Sequence, residues 1–274
     1  MPLARRSWLF VPGADAAAHR AAARSGADVI VLELEDFTPP ALRAKARALS
    51  AQAFTLWRKS GAVAAVRINP LEAQGLEDLA GIERPDVLMM SKVATPAQVE
   101  RLAAAAPPGV ELVPNIESAA GLVRTAEIAR ASQRVSALLV ASEDMVADLG
   151  TARSREGHEL AYVRARFLVE CRAAGVEAID CPYTFSDVKG ALADARYAKR
   201  LGYRMKSLVD PSHARAINAV FTPSARELAH ARKVVAAFER ARAAGKERAK
   251  VDGALIEVPI YAAAKRLLAQ AVRN

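Results

Sequence analysis

The stretch LLVASEDMVADLG, residues 138 to 150, begins as an apolar run and ends with helical spacing, and it sets Glu143 and Asp144 side by side at the join. A short continuous apolar run reads as a strand buried on both faces. If that strand feeds a helix through two carboxylates, the fold depends on how often the chain repeats the unit.

Working outward, SALLVA (136–141) around that strand is joined by SWLFV (7–11), DVIVLEL (28–34), AVAAVRI (62–68), DVLMM (86–90), VELVPNI (110–116), VEAID (176–180) and YRMKSLV (203–209), eight runs in all. They recur at intervals too long for hairpins. Between them, Ala-, Arg- and Leu-rich stretches such as AAAHRAAARSG and ARYAKRLG have helical periodicity, and several close on a Gly suited to a helix C-cap. Strands alternating with helices predict a parallel sheet wrapped by helices. Eight units in about 210 residues predict an α/β fold, a (β/α)8 TIM barrel, whose usual size is about 250 residues. A doubly wound open sheet is the alternative.

After the eighth run the pattern turns helical: SARELAHARKVVAAFERARAAGKERAK, VDGALIEVP and IYAAAKRLLAQAVRN. The expected organisation is therefore a barrel catalytic domain over residues 1–222 and a C-terminal helical extension and lid over residues 223–274. The Lys- and Glu-rich segment from Gly245 to Gly253 reads as a hinge before a short last helix, and the tail is expected to pack on a neighbouring subunit.

Composition narrows the class. With 274 residues, 52% of them hydrophobic and 25% charged, the chain can bury a large core. No apolar stretch approaches the roughly 20 residues of a membrane span, and the opening MPLARRSWLFVPG lacks the apolar region and cleavage site of a signal peptide. A cytoplasmic protein without a membrane partner is expected. Cys171 and Cys181 form no CxxC pair, which argues against a disulfide framework or a cysteine zinc site, and Cys171 reads as a small core residue. The net charge of +9 comes from Arg residues scattered along helices, and aromatics make up only 5% of the chain. Nucleic acid is therefore not expected as a partner, whereas an anionic small substrate suits a positive surface.

Active sites of barrels collect at the C-terminal ends of the strands. At the ends of the eight runs stand, in order, Pro12-Gly13, Glu35-Asp36, Arg67-Asn69-Pro70, Ser91-Lys92, Asn115-Glu117-Ser118, Ser142-Glu143-Asp144, Asp180-Cys181-Pro182 and Asp210-Pro211. Carboxylates converging on one mouth repel unless cations sit among them. Arg67 and Lys92 supply two, and a hard divalent ion such as Mg²⁺, held by one or two carboxylates and otherwise by water and substrate, supplies the rest. Carboxylates after strands also serve as helix caps. Asp148 and Asp187 are assigned to that role, a Glu35–Arg67 pair would be structural, and His19, His158 and His230 lack metal-ligand spacing.

In order, RRSWLFVPG, VIVLELEDFTPP, VRINP, SKV, VPNIESAAG, SEDMVADLG, EAIDCPYTFSD, KSLVDPSHARAINAVFTPS and VDGALIEVP resemble the citrate lyase beta-subunit-like family, which groups with the malyl-CoA and citramalyl-CoA lyases. The resemblance runs from Arg6 to about Ala264. It implies a (β/α)8 barrel assembled as a homotrimer or hexamer, Mg²⁺ as cofactor with Mn²⁺ as an alternative ion, and carbon–carbon cleavage beside a CoA thioester. Carried over by motif, Glu117 and Asp144 are the metal ligands. Arg67 binds the substrate's carboxylate or thioester oxygen and acts in catalysis, while Glu35 and Asp36 line the same pocket and orient water at the ion. Pro12, Gly13, Lys92 and Asp180 are expected as further substrate-binding residues, and Glu143 is expected to shape its loop.

In the CoA lyases a proton donor resembles the acid of a C-terminal G-x-M-I-D-x-P motif supplied by a neighbouring subunit. Here GALIEVP places Glu257 at that position, one methylene longer. Other departures are SKV for PKV, DPSH at 210–213 for HP-x-Q, and GADAAAH where an Asn usually comes soon after VPG. The expected activity is a Mg²⁺-dependent lyase acting on a short 3-hydroxy-dicarboxyl-CoA of the citramalyl or malyl type, releasing acetyl-CoA and a 2-oxo acid. The alternatives are an acyl-CoA thioester hydrolase, a malate-synthase-like condensing enzyme, or a citrate lyase beta subunit cleaving a citryl thioester. A non-enzymatic subunit is disfavoured because Glu117, Asp144 and Arg67 are all present.

Overall fold

The computed structural model describes residues 5–271. Eight parallel strands close in chain order into a barrel: β1 (Ser7–Pro12), β2 (Val29–Glu33), β3 (Val63–Ile68), β4 (Val87–Met90), β5 (Glu111–Ile116), β6 (Ala137–Val140), β7 (Glu177–Asp180) and β8 (Met205–Leu208). Closure is made by β1 pairing with β8, for instance Trp8 opposite Ser207. Seven of the eight predicted runs contain one of these strands and the first, 7–11, stops one residue short of the end of β1; the open-sheet alternative is excluded.

The strands read as unbroken apolar runs because both of their faces are buried. One set, including Trp8, Val29, Val31, Val63, Ala65, Met89, Val113, Leu139 and Ile179, packs in the barrel interior. The alternate residues, such as Ile30, Leu32, Ala64, Val66, Leu138 and Ala178, pack outward against the helices. Period-two alternation decides where each polar side chain near a strand end points. Glu33 is in step with Val29 and Val31, and Arg67 with Val63 and Ala65, so both face the interior. Asp180 is in step with Ala178 and faces away from it.

The helices stop and start where the sequence supplies caps. Asp15 accepts from the amides of Ala17 and Ala18 ahead of the helix Ala16–Ser25, which ends on Gly26 at φ 80°. Asp187 caps the helix Val188–Leu201, and Asp148 accepts from the Ala119 amide at 2.7 Å, both within the structural roles expected of them. His19 sits within the helix Ala16–Ser25, buried and edge-on to Trp57 at 5.6 Å. Cys171 is fully buried.

Residues 5–221 form one compact unit and residues 222–271 belong to another. In the second, the helix Ala225–Ala243 opens with a Ser224/Glu227 capping box. Its Val234 and Phe238 share a small core with Val251, Ile256 and Ala264, and Phe238 stacks on Tyr261 at 4.7 Å. The extension is not all helical, and the expected hinge is a folded element. β9 (Ala249–Val251) and β10 (Ala254–Ile256) pair as a hairpin. Asp252 at φ 50° and Gly253 at φ 82° make its turn, the two positive values that a type I′ hairpin demands. The last helix, Val258–Ala271, is 14 residues long rather than short. No helix among the described residues is long and apolar enough to cross a membrane.

Candidate active site

Arg67 is the hub. It leaves β3 almost fully buried, with its guanidinium carbon 5.3 Å from the centre of the Phe10 ring. Its Nε donates to Glu33 Oε1 at 2.8 Å, one terminal nitrogen lies 3.1 Å from Asp36 and 3.3 Å from Glu35, and the other lies 3.8 Å from Glu117. Burial disfavours the guanidinium charge, yet Glu33, Glu117, Glu35 and Asp36 outweigh it and raise the Arg67 pKa. Arg67 is thus a permanent cation with one edge anchored and two nitrogens turned to the mouth.

Glu33, the last residue of β2 and not one of the polar residues that follow the runs, does the anchoring. Fully buried, it also accepts from the amides of Glu35 at 2.7 Å and Phe37 at 2.5 Å, so one carboxylate fixes both Arg67 and the loop that carries Glu35 and Asp36. Burial pushes the Glu35 pKa upward, with Lys92 and Arg67 pulling the other way. Lys92 reaches Glu35 from a left-handed backbone at φ 56°, a conformation that costs a non-glycine residue about 1–3 kcal/mol and is held here by the next amide along, Val93 N to Asn115 O at 3.0 Å.

Glu117, at the end of β5, is buried with neither carboxylate oxygen hydrogen-bonded. Burial pushes its pKa up to about 8; Arg67 opposes the rise, and the carboxylates of Asp144, Glu35 and Asp36 add to it. Asn115, two residues earlier, also has both side-chain polar atoms buried and unpartnered. Buried polar groups nearly always have partners, so these orphans mark a place built for a ligand. Asp144, in the first turn of the helix Glu143–Asp148, is the carboxylate that faces Glu117 electrostatically. Glu143 instead ties loops together, accepting from Thr184 Oγ1 at 2.8 Å and lying 3.6 Å from Arg153, as its expected loop role requires.

A buried carboxylate with both oxygens unsatisfied, beside the half-buried Asp144, fits a hard divalent cation, which takes oxygen ligands and keeps several waters. Among the described residues no group of three or more His, Cys, Asp or Glu side chains is arranged as a ready-made metal cage. The donor set therefore suits an ion completed by water and substrate, as Mg²⁺ commonly is, better than a closed structural site.

The mouth has two sides. A cavity of about 100 Å³ opens beside Arg67, Asp36 and Asp144. Its other side is apolar, walled by Phe10, Leu139, Ala141, Pro182 and Val209.

Three expected substrate contacts fare differently. Asp180 is corrected: it points out of the barrel, gripped by the Arg164 fork at 2.8 and 2.7 Å and by Lys206 at 2.6 Å, with no exposed surface for a substrate. Gly13 has its amide engaged by Glu33 O and Thr38 Oγ1, and a Cβ there would lie 2.7 Å from Glu33 O, so the glycine is demanded by packing. Pro12 offers its carbonyl to His19 Nε2 at 3.1 Å. Glu257 lies in the second unit, half exposed, with Arg248 Nε at 3.1 Å.

A model of the HpcH/HpaI aldolase/citrate lyase family matches residues 6–211. The chain belongs to this family. Citrate lyase subunit beta of Escherichia coli strain K12 is 34% identical over 285 residues, covering 97% of this chain and 93% of its own. A (3S)-malyl-CoA thioesterase of Cereibacter sphaeroides is 30% identical over 270 residues, covering 97% and 94%. Among solved structures, protein CitE of Mycobacterium tuberculosis, in complex with magnesium, acetoacetate and coenzyme A, superposes with a TM-score of 0.77 at 29% identity over 98% of both chains. Membership in the family and the lyase relative make this chain an enzyme of the lyase class.

Proposed function

We propose that this lyase cleaves the carbon–carbon bond of a short 3-hydroxy-dicarboxylic acyl-CoA thioester, of the citramalyl or malyl type, with Mg²⁺ held by Glu117 and Asp144. The observation that carries the reading is the orphaned, buried Glu117 carboxylate, adjoined by Asp144 and Arg67 at the barrel mouth. The magnesium-, acetoacetate- and CoA-bound relative supports the ligand class. Bound there, Mg²⁺ supplies Lewis-acid polarisation of substrate oxygens.

The chain's own residues do the rest. Arg67 presents two nitrogens to a carboxylate or to the thioester oxygen, and its fixed positive charge stabilises the enolate left when the bond to the 2-oxo acid breaks. Glu35 and Asp36, set beside Arg67 by Glu33, orient water and handle the hydroxyl proton. Lys92, paired with Glu35, contributes a second cation for the substrate. Glu257 is proposed as the acid that returns a proton to carbon, on the strength of its motif; Glu257→Gln should lower turnover by about 100-fold and leave Mg²⁺ binding intact. A trimeric or hexameric assembly belongs to the same reading and is checked by light scattering.

The deciding experiment is mass spectrometry of products after the protein and Mg²⁺ meet citramalyl-CoA and malyl-CoA, beside a chelator control. Chelator-sensitive acetyl-CoA is the expected result. Free CoA as the direct product would establish instead the second reading, thioester hydrolysis, which the malyl-CoA thioesterase relative favours. No product from either thioester would overturn both.

A further inference from the structure

We propose that the substrate of this site carries a small alkyl group on C3, where malyl-CoA has hydrogen and a citryl thioester has a carboxymethyl group, so that the 2-oxo acid released is pyruvate or 2-oxobutyrate rather than glyoxylate or oxaloacetate. The inference rests on the lyase reading and goes beyond it by naming the group the site selects.

The mouth is divided by strand. The side built from β2, β3 and β5 carries Glu33, Arg67 and Glu117, with the Glu35–Asp36 loop and Lys92 above them. The side built from β6, β7, β8 and β1 presents Leu139, Ala141, Pro182, Val209 and Phe10 to the cavity, with Ser142, Glu143 and Asp144 where the chain leaves β6. Of the polar groups there, Asp144 is the proposed metal ligand, and the hydroxyls are engaged: Ser142 Oγ donates to Glu143 at 3.3 Å. Ser207 Oγ donates to Asp180 O at 2.8 Å and Thr184 Oγ1 to Glu143 at 2.8 Å. No unspent donor among these three hydroxyls remains to receive a carboxylate.

In the reaction, the bond between C2 and C3 breaks and its electron pair passes to the thioester enolate. The hydroxyl proton leaves, C3 becomes the carbonyl carbon of the 2-oxo acid, and C2 takes up a proton. The third substituent of C3 stays on the oxo acid throughout. With the carboxylate and hydroxyl of C3 taken by Arg67 and by the ion that Glu117 and Asp144 would hold, that substituent is left to the apolar wall of Leu139, Ala141 and Val209. A hydrogen there leaves the apolar wall wet, and a carboxymethyl group brings an anion against Leu139, Ala141 and Val209. A methyl or ethyl group fills the space, and one such carbon in an apolar pocket is worth about 10- to 200-fold in discrimination.

Calorimetric titration of the Mg²⁺-loaded protein with glyoxylate, pyruvate, 2-oxobutyrate and oxaloacetate tests the subsite apart from turnover. Pyruvate and 2-oxobutyrate should bind at least about 10-fold more tightly than the other two. Ala141→Leu should erase that preference, and Leu139→Ala, which enlarges the wall, should move it toward 2-oxobutyrate. Equal affinities, tighter glyoxylate or oxaloacetate, or an order unmoved in both variants would overturn the proposal. Kinetics with malyl-, citramalyl- and citryl-CoA separate the two claims. Cleavage of all three at similar kcat/KM overturns the alkyl preference and keeps the lyase. The expected oxo-acid order with none of the three cleaved keeps the subsite and overturns the lyase, and no binding of any oxo acid overturns both.

Discussion

Two clusters of buried charge lie on the barrel wall, one outside it and one within its mouth, and they are built on opposite principles. Outside, Asp180 and Asp194 face Arg164 and Lys206. Arg164 forks onto Asp180 and reaches Asp194 at 2.7 Å, while Lys206 lies 2.6 Å from Asp180 and 2.5 Å from Asp194. Two cations thus meet two anions. Within the mouth, Arg67 and Lys92 face Glu33, Glu35, Asp36, Glu117 and Asp144, and the Glu117 oxygens have no hydrogen bond at all. Removing charges from water is costly unless they are paired and hydrogen-bonded. A chain that balances one cluster so completely and leaves the other short of positive charge assigns the first to architecture and the second to a ligand.

The largest effect that could break this comparison is on turnover. Asp144→Ala should abolish Mg²⁺ binding by calorimetry and lower kcat about a thousandfold, the several kcal/mol that a Lewis acid supplies. The metal-free protein should melt no lower than wild type, because the change relieves repulsion of Glu117. Full activity in this variant would remove Asp144 from the site. Next in size is a loss of stability without loss of chemistry. Asp180→Asn leaves Arg164 and Lys206 facing one carboxylate where they had two, and breaking a buried pair in this way costs about 3–5 kcal/mol. Urea unfolding should show that loss, while Mg²⁺ affinity and kcat per folded molecule stay put. Unchanged stability with a fallen kcat/KM would return Asp180 to the site.

A third change acts on orientation. Glu33 touches no substrate in the proposed reaction and works through Arg67 and the loop 34–38. Glu33→Gln replaces one accepting oxygen with a donor, and it cannot serve Arg67 Nε and the amides of Glu35 and Phe37 together. A misplacement of about 1 Å in such a site costs about 100-fold in rate. The expected outcome is a fall of that order in kcat/KM with Mg²⁺ affinity intact, since Glu117 and Asp144 lie outside Glu33's hydrogen bonds. A variant that loses metal binding and catalysis together would show that Glu33 supports the whole mouth rather than Arg67.

The eight barrel strands were legible because a strand buried on both faces has no polar positions to interrupt its apolar run, and the capping Asp and Gly residues mark where the helices begin and end. The errors share a cause. Reading polar residues by their place after a strand finds Glu35, Arg67, Glu117 and Asp144 but ignores which way the last strand residue points. Parity supplies it: Glu33 continues the inward series of Val29 and Val31, and Asp180 stands beside inward-facing Ile179 and so points out. That signal lay in the sequence and would have gained Glu33 and released Asp180. The hairpin of β9 and β10 was hidden by strands of only three residues in a Lys- and Glu-rich segment, although Asp252-Gly253 is a strong turn signal. The two-sided mouth was not readable, because Phe10, Leu139 and Val209 become neighbours only when β1 closes on β8.

The smallest expected effect sharpens the comparison through pH. Burial opposes ionisation of Asp194, but Lys206 and Arg164 outweigh it and hold its pKa at about 2, below the ordinary 3.8. A folded-state pKa below the unfolded one means that the unfolded chain binds the proton first on acidification. The stabilisation is therefore complete above about pH 4 and is lost as the pH falls toward 2, and a shift of this size corresponds to about 2 kcal/mol. Urea unfolding across that window should show wild type losing about 2 kcal/mol more than Asp194→Asn, whose amide has no proton to gain. Equal acid slopes would mean that Asp180 alone answers the two cations, and the outer cluster would then be less completely balanced than its distances suggest.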